Sequence, residues 1–518
     1  MKIHSITLKN FRGYRDMTTV RFDDLTAFVG RNDVGKSTIM EALDIFFNED
    51  KATVKLDKSD LNVDAKSCDE TDICITVRFS NLPEQVILDA ACETPLAREY
   101  LLNAEGLLEV VKRYPNGGKA KVSLRAVNPR NPECADLIQK KVAELRKIID
   151  GKGIPCQDKT RNPVMRAAIW EHYKADLRLE ETEIDVTKGD AKAIWEKLQK
   201  YLPHYALFQA DRKNSDTDSE VQDPLKAEVA KILKSEDLQE HLDYVAQKVL
   251  ERLNLISDQA LVKLRAINPE VANVLSPVIP AAENLKWSDV FKNVSISGDD
   301  SIPINKRGSG TKRLILLSFF QAALDHSTED EVGTIYAIEE PETALHHDNQ
   351  RSMIHALQDL SQRRNVQVII TTHSASVVKE LDLDCVRVIR MENGKKVVNN
   401  TLPRVLNYIS LNEVSYLAFG GAAEEYHDEL FGHLESHKVG NQRLRFLFRD
   451  AQSRHSDKMV TYKRIDPKDG SIKEERLTKT EYIRHQVHHP ENKENTPFQH
   501  SDLIESIQDI RNFIQTHS

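Results

Sequence analysis

Residues 25 to 38 read LTAFVGRNDVGKST, and no other stretch constrains the fold of this chain as far. An apolar run of strand character enters G-x-x-x-x-G-K-S, and STIMEALDIFF leaves it with apolar residues at helical spacing. A strand that ends in a glycine-rich loop and restarts as a helix commits the chain to layered α/β architecture. Gly30 and Gly35 let the backbone turn its N–H groups toward an anion, and the helix N-terminus reinforces them. In this pattern Lys36 is expected to reach the β- and γ-phosphates of a nucleotide, and Ser37 to offer its hydroxyl to Mg²⁺. Arg31, Asn32, Asp33 and Val34 complete the loop, and Thr38 opens the helix. A chance glycine-rich turn would not need the flanking strand and helix.

The second constraint is AIEEPETALHH, residues 337 to 347. Carboxylates placed side by side repel and resist ionising, so Glu339, Glu340 and Glu342 ask for a counter-charge. With a phosphate loop in the same chain, Mg²⁺ on a nucleotide supplies it. IYAI reads as a buried strand. Glu339 at its end would help hold Mg²⁺ through water, and Glu340 would polarise the water that attacks the γ-phosphate.

Roughly 300 residues separate the loop from these acids, far more than consecutive βαβ units need. Just before the acids, NKRGSGTKRLILLSFFQAAL places Ser309 and Gly310 at the start of an amphipathic helix, an anion-binding geometry. That turn is better suited to a neighbour's γ-phosphate than to the nucleotide on Lys36. After the acids, VQVIITTHS is an apolar strand ending at His373, placed to sense a γ-phosphate. Together KNFRGY, GRNDVGKST, RGSGTKR, AIEEPETALHH and TTHS resemble the ABC-type ATPases of the SMC, RecF and OLD group. The resemblance implies that Arg12 contacts nucleotide, that Ala344, Leu345 and His346 form the D-loop, and that His373 is the switch histidine. It also implies ATP and Mg²⁺ as ligands, and head-to-head dimers in which each Ser309–Gly310 turn closes the other's site. Glu339 stands where SMC proteins usually carry aspartate; EEPE is closer to the OLD branch.

The expected organisation is an α/β ABC-type P-loop ATPase head, RecF/OLD-like, in two parts: residues 1–80, and residues 285–400. A helical insertion for dimerisation, 81–284, lies between them, with CADLIQKKVAELRKIID and AKAIWEKLQKYL at helical spacing. No heptad run long enough for an SMC arm occurs, nor a C-x-x-C zinc hook. Asp211, Asp216, Asp218 and Glu220 read as a solvated acidic loop rather than a metal site. The six cysteines are scattered, which argues for a reducing, cytoplasmic setting. MKIHSITLKNF does not read as a secretory signal, and no run is apolar enough to span a membrane. A net charge of −9 gives no global attraction to nucleic acid, so any DNA contact needs a local basic patch.

Residues 401–518 read as a mainly helical partner-binding domain. Glu424 and Glu425 follow no strand, and no Asp-x-Asp pair sits at a strand end, which speaks against a Toprim nuclease site. Between Lys438 and Lys479 twelve Lys or Arg face six Asp or Glu, so DNA and protein are both candidate contacts there. MVTYKRIDPKDGSIKEERL reads as a hairpin around DPKDG. FQADRKNSDTDSEVQDP and YIRHQVHHPENKENTPF resemble the PtuA ATPase family of the Septu anti-phage systems. That resemblance implies a sensor or regulator ATPase, slow in hydrolysis, that gates a separate HNH nuclease partner of PtuB type. Two other readings stay open: Arg484 and His489 fit the R-x₄-H pattern of HEPN ribonucleases, and the head also fits a RecF-like repair ATPase. HHPEN also fits a plain helix end.

Overall fold

In a computed structural model, residues 1–49, 52–89, 92–209, 333–343, 345–392, 394–399, 404–408, 410–465 and 470–517 are described, with a few positions between 238 and 251. The chain divides into two units: Met1–Leu207 with Thr328–Glu342 and His347–Ser518, and Phe208–Ser327 with Thr343–His346. Ser309, Gly310, Ala344 and the acidic run from Asp211 to Glu220 lie outside the described residues.

Two six-stranded sheets organise the first unit. The nucleotide-loop strand Leu25–Val29 is buried along its whole length, as a strand covered on both faces must be. Its neighbours run parallel to it: Val366–Thr372 on one side and Val386–Glu392 on the other. The acidic strand Thr334–Glu339 lies beyond Val366–Thr372, also parallel. His204–Phe208 and Lys395–Asn399 form the two edges. Because parallel strands share a direction, the loop after Val29, the acids after Ile338 and His373 emerge at one end of the sheet.

The second sheet is antiparallel, in the order Thr18–Arg21, Lys2–Lys9, Asp72–Ser80, Leu108–Pro115, Lys121–Pro129, Leu179–Asp185. Three of these strands fall where a helical insertion was expected, so its start at residue 81 is corrected. The cue was in the sequence: LEVVKRYP and KVSLRAVNP flank Asn116-Gly117. Both residues have positive φ, 51° and 66°, the demand of a tight hairpin turn. The helical readings further on hold in part: Val142–Lys152 and Ala191–Leu198 are helical, whereas the stretch from Cys134 to Lys141 forms turns and a short 3-10 helix, Leu137–Gln139. One continuous core carries residues of both sheets, from Ile3 and Ile75 to Ile335 and Ile369. Buried Gln367 ties the sheets directly: its amide accepts from Ile3 N–H at 2.8 Å and donates to the Ile3 carbonyl at 2.8 Å.

The chain after residue 404 is mainly helical, as expected, with helices Leu411–Phe419, Glu424–Ser436, Leu444–Ser453, Lys479–His488 and His500–His517. The expected hairpin is present, Met459–Ile465 pairing with Ile472–Thr478. Leu430, Ile483, Ile507 and Ile510 centre its own apolar core. A buried ion pair, Arg511 to Glu413 at 2.9 Å, is completed by Tyr426 and by the backbone N–H of Val405.

His427 is fully buried here, with Nε2 3.0 Å from Ser506 Oγ. Burial pushes its pKa down from 6.5 to about 4. Between those values the unfolded chain binds the proton and the folded chain does not, so stability rises with pH across the window. Acidification from about pH 6.5 toward 4 should therefore weaken the folded chain by on the order of 2–3 kcal/mol through this group alone. His427→Gln should flatten that part of the profile in denaturant melts of the full chain. An unchanged slope would refute the assignment.

Candidate functional site

The glycine-rich loop is shaped by close approaches. A Cβ on Gly30 would lie 2.5 Å from the Ile389 carbonyl oxygen and 2.9 Å from Val34 Cγ1. Gly35 has φ +110°, open to glycine at no steric cost, and it is the N-cap of helix Lys36–Asn48. That helix start has neither a side-chain cap nor an acid in its first turn. Its uncapped first turn and dipole therefore suit an anion. Arg31, Asn32 and Asp33 are exposed, Val34 anchors the loop in the core, Ser37 is exposed and Thr38 half-buried.

Lys36 folds back under the loop. Its amine donates to the carbonyls of Gly30 at 2.8 Å and Arg31 at 2.9 Å. Burial lowers its pKa, against the pull of Glu340, Glu342, Asp33 and Glu339. The lysine and the acid cluster, roughly 300 residues apart in sequence, thus share one electrostatic site.

The three glutamates differ in environment. Glu339 ends its strand opposite Thr371 and is buried, as is Glu342. Glu342 accepts from the Thr372 hydroxyl at 2.5 Å, and burial holds its carboxyl above the usual range. Glu340 is the more open one. Its φ is +44°, costly for a residue with a side chain, and Thr371 holds it there. The Glu340 N–H reaches the Thr371 carbonyl at 3.0 Å and hydroxyl at 3.1 Å. This backbone turn aims the carboxylate at His373, whose Nδ1 lies 3.0 Å from Glu340 Oε1. Ser374 caps the helix Ala375–Glu380 that follows the histidine. The fold thus brings Glu340 and His373 together in one pair.

Arg12 sits in a strained turn of its own, with φ 46°. Its guanidinium is held by Glu41, on the helix after the loop, and by Asp60 at 2.7 Å. Tyr14, two residues on, is buried and donates from its hydroxyl to the Gly35 carbonyl at 3.1 Å. Burial raises that hydroxyl's pKa, so it remains a donor.

Sequence reasoning missed several contributors. Tyr205 is buried, and its hydroxyl donates to the Met40 carbonyl at 2.7 Å. Burial raises its pKa well above the ordinary value, with Asp44 and Glu339 adding to the effect. Thr371 and Thr372 read as plain strand residues, yet they fix Glu340 and Glu342. Arg31 does not turn toward the loop's anion site. It donates to the carbonyls of Phe419 at 2.5 Å and Gly420 at 3.1 Å, at the end of helix Leu411–Phe419. Those carbonyls carry the negative end of the helix dipole.

The R-x₄-H residues point to different partners. Arg484 lies over the Phe431 ring, 4.2 Å from its centroid, and pairs with Glu435 at 3.2 Å. His489 follows the end of helix Lys479–His488 and pairs with Glu491 at 3.2 Å.

Nucleotide and metal fit this arrangement. The uncapped helix start and the bent-back lysine suit a polyphosphate. The Ser37 hydroxyl and Glu339 carboxylate are oxygen donors of the type Mg²⁺ takes, with phosphate and water filling the rest. Among the described residues, no group of three or more His, Cys, Asp or Glu could hold a metal, and such a Mg²⁺ site needs none. No helix among the described residues is long and apolar enough to cross a membrane.

Residues 1–378 match the family described as AAA ATPase domain. No curated protein matches the chain. Among solved structures, an SmcHead bound to the C-winged helix domain of ScpA is 14% identical with a TM-score of 0.36, covering 77% of this chain and 98% of that one. The SMC head domain from Thermotoga maritima is 13% identical with a TM-score of 0.32, covering 77% and 98%. An Smc head domain with an extended coiled coil, bound to the C-terminal domain of ScpA derived from Pyrococcus furiosus, is 14% identical with a TM-score of 0.35, covering 77% and 95%.

Proposed function

The chain belongs to the AAA ATPase domain family, and on that premise we propose a nucleotide-gated switch whose catalytic pair is Glu340 and His373. The observation that carries this reading is the 3.0 Å contact between them, in a site that also contains Lys36. Gly30, Asn32, Asp33, Val34, Gly35, Lys36, Ser37 and Thr38 form the phosphate cradle, to which Arg31 contributes backbone only, its guanidinium being held by the Phe419 and Gly420 carbonyls. Ser37 and Glu339 would hold Mg²⁺, which would supply positive charge against the nucleotide phosphates. Glu340 orients a water and takes its proton; His373, whose Nδ1 lies 3.0 Å from that carboxylate, couples it to the γ-phosphate.

Two ATP-loaded heads pack against each other in this reading, with Ser309 and Gly310 of each completing the other's site. The resemblance of the signature turn supports that step. The C-terminal residues from 401 onward then bind a separate HNH nuclease, so that nucleotide state gates DNA cleavage in a Septu-like anti-phage system. Against the ribonuclease alternative, Arg484 lies over Phe431 and pairs with Glu435, whereas His489 pairs with Glu491.

Cleavage assays decide between them. The chain alone should leave DNA and RNA intact, and cleavage of DNA should appear only when an HNH nuclease partner is added. RNA cleavage by the chain alone, lost in His489→Ala with folding unchanged, would overturn the partner reading in favour of the ribonuclease.

A further inference from the structure

We propose that Lys396 is a second lysine of the phosphate cradle, contacting the polyphosphate of the bound nucleotide. The proposal rests on the nucleotide reading of the loop and adds a residue that the sequence motifs do not contain.

Lys396 lies on the edge strand Lys395–Asn399, paired with Met391 of the strand that flanks Leu25–Val29. Its amine comes back over the loop: a Cβ on Gly35 would sit 2.8 Å from Lys396 Nζ. The same side chain occupies the place a Cβ on Gly13 would take. That explains the glycine in FRGY, which otherwise has no turn requirement. The amine is also 5.4 Å from the centre of the Tyr14 ring, whose hydroxyl binds the Gly35 carbonyl. Lys396 therefore touches both sequence motifs that the family resemblance assigns to nucleotide.

Its electrostatics point the same way. Among the described residues Lys396 has no ion pair, whereas its neighbour Lys395 pairs with Asp16 at 2.6 Å. Burial and the adjacent Arg12 both disfavour its charged form, and Asp33 only partly offsets them. A half-buried ammonium beside another cation is costly unless an anion arrives. Packing of the methylenes on Gly13 and a cation–π contact could by themselves account for the position. They do not account for concentrating Lys36, Arg12 and Lys396 around one anion-binding helix start.

Lys396→Met separates the two accounts, because it keeps the methylenes and removes the charge. Binding of Mg·ATP and Mg·ADP to the full chain would be measured by calorimetry for wild type, Lys396→Met, Lys396→Arg and Gly13→Ala. The expected loss of ATP affinity is about tenfold for Lys396→Met, with a weaker dependence of affinity on salt. Lys396→Arg should stay within about threefold of wild type, and Gly13→Ala, which displaces the lysine, should mimic the Met variant. Equal ATP affinity in wild type and Lys396→Met overturns the proposal alone. A folded wild type that binds no ATP overturns the nucleotide reading and this proposal with it. An amine-modifying reagent tests the wild type directly, whether or not the variants fold. ATP should protect Lys396 from modification, and unchanged labelling would refute the contact.

Discussion

Glu340→Gln should bind ATP about as tightly as wild type and hydrolyse it at least about 100-fold more slowly. The side chain is held by its surroundings, so the change is chemical rather than architectural. Thr371 fixes the left-handed backbone at residue 340 through two hydrogen bonds that a glutamine would keep. The amide also keeps polar atoms at the 3.0 Å approach to His373. What it loses is the basic oxygen that accepts the water's proton. Binding draws on Lys36 and the loop, and removing one carboxylate from the field around Lys36 would favour phosphate slightly.

The measurement is single-turnover phosphate release alongside equilibrium ATP binding. Hydrolysis at the wild-type rate would remove Glu340 from the mechanism. His373→Ala tests the pair: kcat should fall about tenfold with KM nearly unchanged, and the double variant should be no worse than Glu340→Gln. Additive losses would mean that the two residues act separately. Glu339→Gln should instead raise the Mg²⁺ concentration needed for hydrolysis.

The loop and the acids were legible in sequence because each is local. Gly35 and Lys36 adjoin in the chain, and a strand ending in Glu339-Glu340 declares itself by composition. Their meeting was legible only through the motif set, since roughly 300 residues intervene. What stayed hidden depends on register and approach rather than residue pattern. Thr371 earns its role by lying opposite Glu339 in a parallel pair, and Lys396 by the reach of an edge strand over Gly13. The strands at 108–129 were hidden for a different reason. Their alternation was legible and Asn116-Gly117 marked the turn, but the helical segments that follow set the reading of the whole stretch. Arg31 shows the limit of motif logic. Within the loop it reads as a nucleotide contact, yet helix-end carbonyls some 390 residues away hold it.

Lys36→Ala carries the largest expected loss, at least about 1,000-fold in ATP affinity. Two effects act in the same direction. The phosphates lose a buried cation that the chain holds ready, donating to the Gly30 and Arg31 carbonyls at 2.8 and 2.9 Å. In addition, Glu339, Glu340, Glu342 and Asp33 lose the positive charge whose field they share, and their combined charge then repels the phosphates. Lys36→Met fills the volume without restoring either effect and should fail equally. Lys36→Arg should recover little, because a planar fork does not fit where a compact ammonium bridges two carbonyls. Glu342 supplies a further signature. Its carboxyl already protonates more readily than an exposed one, and without Lys36 it should do so still more. As pH is lowered, the residual ATP affinity of Lys36→Ala should therefore rise, while added Glu342→Gln should remove that trend. Calorimetry on chains with matched melting temperatures gives the comparison. Near-wild-type affinity in Lys36→Ala would take the glycine-rich loop out of nucleotide binding, and with it the basis for every role assigned around it.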